Sequence, residues 1–256
     1  MAADPFVAVA VTVVGLCVGS FLNVCILRLP HEQSLIAPPS TCPHCKKPIA
    51  WFDNIPVVSW LVLHGKCRHC GAAISLQYPL IEALVGALWL GAYLAWGLSV
   101  HGLAGALLGS ILLGIGITDA RHYIIPDEFT WGGLGIGLAL SLVGGWQGFL
   151  QAVLGAAAGF GLLYLVGSAG RWMFSEEAMG GGDIKMMAMV GAFVGWKGVL
   201  LTIFAGALLG TLIFVPLSLR KKRLVPFGVF LAVGAAVAFA WGNAIIEWYR
   251  HFLSGG

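Results

Sequence analysis

Eight apolar stretches separated by short polar connectors constrain this chain of 256 residues more than any other feature. They lie near residues 5–27, 79–99, 102–118, 128–145, 148–169, 184–195, 198–217 and 226–247. Most have the ~17–25 residues that a helix needs to cross a hydrocarbon core of ~30 Å. Composition points the same way: 59% of residues are hydrophobic and 10% charged, where a soluble domain carries roughly 25% charged residues. The sixth stretch is short, but fusing it with the seventh would give a segment of roughly 50 Å at 1.5 Å per residue, too long for one span. Gly195, Trp196 and Lys197 offer a turn between them. The expected fold is therefore an all-α polytopic membrane protein with eight transmembrane helices.

Basic residues orient such a bundle. With the amino terminus outside, the cytoplasmic side receives Arg28, Lys46, Lys47, Lys66, Arg68, Arg121, Arg171, Lys185 and the run Arg220 to Arg223. Lys197 and Arg250 fall outside. Twelve of the fourteen Lys and Arg residues thus lie inside, and merging the sixth and seventh helices would throw the basic run outward. No basic region precedes the first apolar run and no small-residue cleavage site follows it, so this run reads as an uncleaved anchor.

Residues 28–77 form the one sizeable polar segment, expected as a small cytoplasmic lobe between helices 1 and 2. It holds "CPHC" (Cys42, Cys45) and "CRHC" (Cys67, Cys70), with 21 residues between them. Two such knuckles suit tetrahedral thiolate coordination of zinc, each supplying two sulfurs. A disulfide pair, an iron site or free thiols are the alternatives, and a reducing cytoplasm disfavours the disulfides. Fifty residues bury little core, so a metal would carry much of the lobe's stability. Four protein ligands close the coordination sphere, which makes such a zinc structural. Cys17 and Cys25 read as small apolar helix residues.

Two carboxylates stand out at apolar boundaries. Asp119 ends the third stretch, where the helix dipole disfavours a negative charge unless Arg121 or His122 pairs with it. Asp183 follows Gly180, Gly181 and Gly182 at the start of the sixth. The third helix runs inward and the sixth begins inside, so both acids reach the cytoplasmic face. Two nearby aspartates that share a proton can act as base toward water and acid toward a carbonyl. Helix ends alone would make Asp119 the proton holder and Asp183 the ionised partner. Asp127 and Glu128 read as acids that stabilise the start of the fourth helix. A proton-coupled transporter also uses carboxylates in broken helices, and acids that merely hold an assembly subunit together are a further alternative.

Several motifs in order carry a resemblance: "GSFLNVCILRLP" (19–30), the two knuckles, "DNIPVVSW" (53–60), "YPLIE" (78–82), "TDARHYIIPD" (118–127), "GGGDIK" (180–185) and "VPFGVFLAVGA" (225–235). Together they resemble the bacterial prepilin peptidases, GxGD-type intramembrane aspartyl proteases of type IV pilus and type II secretion systems. The resemblance implies catalysis by Asp119 and Asp183, and cleavage of the basic leader of type IV prepilins or pseudopilins after a glycine. It also implies methylation of the new amino terminus with S-adenosylmethionine, a role associated with the cysteine lobe; peptidase activity without methylation is the alternative.

The implied organisation is a first transmembrane helix at 1–27, the zinc lobe at 28–77 and a seven-helix protease domain at 78–256. The implied location is the bacterial inner membrane, with lipid and pilin precursors as partners and no nucleic acid. No Gly-rich nucleotide fingerprint is present; Asn23, Arg28 and Glu82 are the candidate contacts for the methyl donor. Their alternatives are an interhelical hydrogen bond for Asn23 and an ion pair between Arg28 and Glu82. Glu176 and Glu177 are candidates for attracting the basic leader. Cys25, Leu27 and Val229 depart from residues usual in the family, the last from a proline, and none is expected to touch the carboxylates.

Overall fold

A computed structural model describes residues 4–174, 179–218 and 226–254. Glu176, Glu177 and the basic run 220–223 lie outside the described residues. Among those described, six segments are long and apolar enough to cross a membrane: Pro5–His31, Gln77–Trp96, Val100–His122, Asp127–Met173, Gly181–Ile213 and Phe227–Leu253. Two of them are not single straight helices. Asp127–Met173 contains α5 (Asp127–Ser141), a 3-10 turn at Leu142–Gly144 and α6 (Gly145–Phe174), with Gly145 at φ 71°. Gly181–Ile213 lies within α7 (Gly181–Ser218), interrupted at Gly195, whose φ of 67° and ψ of 175° belong to no helix. A residue without Cβ takes up that conformation at little steric cost. The break falls where the sequence places a turn.

The chain divides into two compact units, Met1–Ala106 and Leu107–Gly256, with the boundary inside α4 (Val100–His122). In the first unit, α1 (Pro5–Arg28) packs along α3 (Gln77–Trp96). Small residues let the backbones approach. A Cβ on Gly15 would lie 2.9 Å from the Gly86 Cα, and one on Gly19 would lie 2.7 Å from the Glu82 Cα. Between α1 and α3 lies the polar lobe, whose regular structure amounts to two 3-10 turns and the short α2 (Val58–Val62).

In the second unit α7 packs against α5, α6 and α8 (Phe227–Leu253). After an opening turn that is only partly covered, the helix is fully enclosed: Met186, Met187, Met189 and Val190 have no exposed surface. Against α6 the contact is backbone to backbone. A Cβ on Gly155 would run into the Gly191 carbonyl, one on Gly191 into the Gly155 carbonyl, and one on Gly159 into the Met187 carbonyl. Glycines four apart on both helices allow such an approach where lipid supplies no hydrophobic drive between helices. The outward faces stay apolar, as Leu154, Leu165 and Phe204 illustrate.

Gly155→Val is therefore expected to destabilise the second unit by about 1–3 kcal/mol or more, the usual penalty of overpacking. Gly161→Val, on the same helix with open space around it, should change little. Thermal unfolding of the purified proteins in one detergent checks the pair.

Candidate functional site

Asp119 occupies the last turn of α4 and is 6% exposed. The helix ends beside it: Tyr123 N–H donates to the Asp119 carbonyl at 2.9 Å and Tyr123 turns to φ 55°. Its carboxylate meets the start of another helix. Val229 N–H, in the first turn of α8, donates to Asp119 Oδ2 at 3.1 Å. First-turn amides have no acceptor within their own helix, so they are free to serve a carboxylate. Gly228 makes the approach possible, because a Cβ there would lie 2.8 Å from Asp119 Oδ2.

Asp183 stands in the first turn of α7 and is half-buried. Its Oδ1 is buried and has no hydrogen-bond partner among the described residues. Ile125, in the link between α4 and α5, relates the two neighbourhoods. The Cβ position of Gly182 is 2.9 Å from Ile125 Cβ, and that of Gly228 is 2.8 Å from Ile125 Cδ1. The end of α4 and the starts of α7 and α8 thus converge, although 64 positions of sequence separate the two acids. Glycine at 182 and 228 keeps the space between them narrow.

Two sequence expectations need correction here. Val229 was expected to have no contact with the carboxylates, yet its amide holds Asp119; a proline would have no N–H to give. The carboxyl end of α4 is also not the only dipole at Asp119, since the amino end of α8 meets the same oxygen. The α4 end therefore no longer decides which of the two aspartates would hold a shared proton. Asp127 and Glu128 do open α5, with Pro126 as N-cap. Asp127 has a further role the sequence did not reveal, accepting from Lys185 Nζ at 2.7 and 2.8 Å and so tying the starts of α5 and α7 together.

In the first unit the four sulfurs of Cys42, Cys45, Cys67 and Cys70 all lie within 4.8 Å of one another. The two knuckles fold alike. Cys42 N–H donates to the Lys47 carbonyl and Lys46 N–H to the Cys42 carbonyl; Cys67 and Gly71 repeat the pattern with Ala72 and Cys67. The residue after each second cysteine, Lys46 or Gly71, is left-handed. Cys42 Sγ and Cys70 Sγ are 3.8 Å apart, close to the ~3.8 Å that separates sulfurs in a tetrahedron with metal–sulfur bonds of ~2.3 Å.

Amides of Cys45 and His44 bring the Cys42 thiol down to about 6. At Cys70 the Ala72 amide favours the thiolate, but burial and the neighbouring sulfurs outweigh it and push the thiol up to about 11. The four-sulfur cluster fits a metal ion, whose positive charge would favour the thiolate form of all four. Arg68 forks onto Asp53 at 2.6–3.1 Å, and Asp53 is thereby kept below the usual carboxylate range.

The three polar candidates beside the lobe are all engaged, in different ways. Asn23, 2% exposed, donates from Nδ2 to the Tyr78 carbonyl at 3.1 Å, linking α1 to α3, while its Oδ1 has no partner among the described residues. Glu82, 7% exposed, accepts from the Val57 amide at 2.7 Å. Arg28 gives its two terminal nitrogens to the carbonyls of Ser34 and Pro38. Arg28 and Glu82 form no ion pair with each other among the described residues. Val57 has φ 61°, a conformation costing a β-branched residue ~1–3 kcal/mol, and strain of this kind gathers at functional sites.

Known proteins match this sequence over most of its length. Residues 13–96 match the bacterial peptidase A24 N-terminal domain, and residues 106–215 match the type IV leader peptidase family. A prepilin leader peptidase/N-methyltransferase of Myxococcus xanthus is 38% identical over 222 residues, 87% of this chain and 66% of that protein. One from Aeromonas hydrophila is 34% identical over 91% of this chain and 90% of its own length. One from Neisseria gonorrhoeae is 34% identical over 96% of each. No solved structure matches. On the strength of both the matched regions and these full-length relatives, the chain belongs to the type IV leader peptidase family.

Proposed function

We propose that the chain cleaves the leader of type IV prepilins or pseudopilins with Asp119 and Asp183, then methylates the exposed amino terminus. The observation that supports cleavage is the meeting of two carboxylates from remote helix ends, one held by a helix amide and the other with a buried, unpartnered oxygen. One carboxylate takes a proton from water as its oxygen adds to the scissile carbonyl, and the other gives its proton to that carbonyl oxygen. Collapse of the tetrahedral intermediate breaks the C–N bond, and a proton passes to the departing amine. In the methyl transfer the amine lone pair forms the new N–C bond and the C–S pair stays on sulfur. The resulting ammonium loses its proton to solvent.

In this reading Cys42, Cys45, Cys67 and Cys70 hold a zinc ion that stabilises the lobe and leaves no open position for water. Asn23, Arg28 and Glu82 are the candidate contacts for S-adenosylmethionine. Breaks at Gly145 and Gly195 make eight crossings of the six apolar segments, with the amino terminus outside and the aspartates and lobe at the cytoplasmic face of the inner membrane. Residues 28–77 then form the lobe and 78–256 the proteolytic helices.

Purified protein in detergent, incubated with a prepilin, tests both activities by mass spectrometry of the product. The expected product is a mature chain cut after the leader glycine, heavier by one methyl group when S-adenosylmethionine is present. An uncut precursor would remove the peptidase reading, and a cut but never methylated product would remove the second activity.

A further inference from the structure

The short helix α2 turns its polar side inward and its apolar side outward. Ser59, Trp60 and Leu63 line a cavity of about 480 Å³ between α1, α3 and the lobe. Ser59 Oγ donates to the Phe52 carbonyl at 2.9 Å, and Trp60 Nε1 to the Ile74 carbonyl at 3.2 Å. Val58, Leu61 and Val62, spaced i, i+3, i+4, share the opposite face and are 51–64% exposed. Just upstream, Trp51 and Ile55 are exposed as well. A helix against water presents polar residues on its outer face. Bare apolar positions grouped in this way mark contact with a protein or a lipid surface.

The height at which α2 is held favours lipid. Val57 N–H, immediately before α2, donates to Glu82 Oε2 at 2.7 Å. Glu82 lies five residues beyond Gln77, the first residue of α3, or about 7 Å along the helix at 1.5 Å per residue. That helix is one of the segments long and apolar enough to cross a membrane. Its exposed leucines begin at once, with Leu76, Leu80 and Leu84 four apart. The start of α2 is therefore tied to a level of α3 where leucines already face outward on either side of Glu82.

We propose that α2 is an interfacial helix, whose Val58, Leu61 and Val62 face, with Trp51 and Ile55, sits in the boundary between headgroups and acyl chains of the bilayer crossed by α1 and α3. Interfacial helices sink ~5–10 Å into that boundary, a depth that the position of Glu82 matches. Tryptophan suits the headgroup level, with an apolar ring and one N–H. Lys66 is exposed one turn past α2, its N–H donating to the Leu63 carbonyl at 3.0 Å. Its apolar stem can lie along the same face while the ammonium reaches lipid phosphate. The lobe is thus fastened to the membrane by its own surface as well as by its two connections to α1 and α3.

The full chain in nanodiscs of phosphatidylethanolamine and phosphatidylglycerol, with the photoreactive residue benzoylphenylalanine in place of Val58 or Leu61, tests this by mass spectrometry after irradiation. Both positions should yield phospholipid adducts, as should the same label in place of Leu84 on α3. Adducts with protein alone, whether the second unit, another copy of the chain or a pilin precursor, would overturn the proposal. So would the absence of any adduct at both positions while Leu84 gives one. Hydroxyl-radical labelling of the unmodified protein removes any doubt about misfolded variants. Leu61 and Val62 should lose labelling in the discs down to the level of Leu84, and labelling as strong as in a free peptide of residues 55–66 would overturn the proposal.

Discussion

Asparagine in place of Asp119 or Asp183 should lower leader cleavage by about 10³-fold or more, and the double variant should be no worse than either single one. General acid–base groups each contribute ~10²–10⁴-fold, and groups that act as one unit do not add. Neither amide can exchange the shared proton, so losing one carboxylate disables both. The Asp183→Asn change would also place an amide at the buried position where Oδ1 has no partner. Asp127→Asn provides the contrast: it breaks an exposed ion pair with Lys185, an interaction of ~0–1 kcal/mol, and should change cleavage by no more than a fewfold. Initial rates on a detergent-solubilised prepilin, with melting curves as the fold control, check all four proteins. Cleavage at the wild-type rate in either single variant would end the dyad.

A second large effect is expected at the cysteine cluster. Cys42→Ser or Cys67→Ser should take the metal content from one ion per chain to near zero. Structural zinc sites contribute about 10–16 kcal/mol of binding free energy that doubles as folding free energy. This lobe has little core to replace that contribution: within residues 29–76, the buried residues are Leu29, Cys42, Ser59 and Gly65. Loss of metal should therefore open the lobe to protease while the second unit keeps its own buried core. Cys17→Ser, an exposed position on α1, should retain the ion. Elemental analysis and limited proteolysis give the readout, and full metal content in both knuckle variants would refute the site.

Some of this was legible in sequence because the signal is local or topological. A Cys-x-x-Cys pair declares its chemistry within four residues, and two pairs imply one another. Asp119 and Asp183 could be brought to one face by counting helices, and the break at Gly195 follows from length and a glycine. Val229 could not be found this way. Its contribution is a backbone amide, common to every residue but proline, and side-chain reasoning passed over it.

Val57 and the cavity depend on how α3 meets the lobe, which no spacing encodes. The helix seams left a signal that was missed. Gly15 and Gly19, Gly155 and Gly159, and Gly191 and Gly195 are each four apart in apolar runs, the pattern of close helix pairing.

The glycine seam between α6 and α7 has a mechanical consequence. Where two backbones touch with no side chains between them, no rotamer can shift to absorb a sliding motion. The helix that carries Asp183 is therefore fixed along that rail. If Asp119 and Asp183 act on a substrate segment as proposed, room for it would come from the end of α4 with Asp119 and from the leading turn of α8.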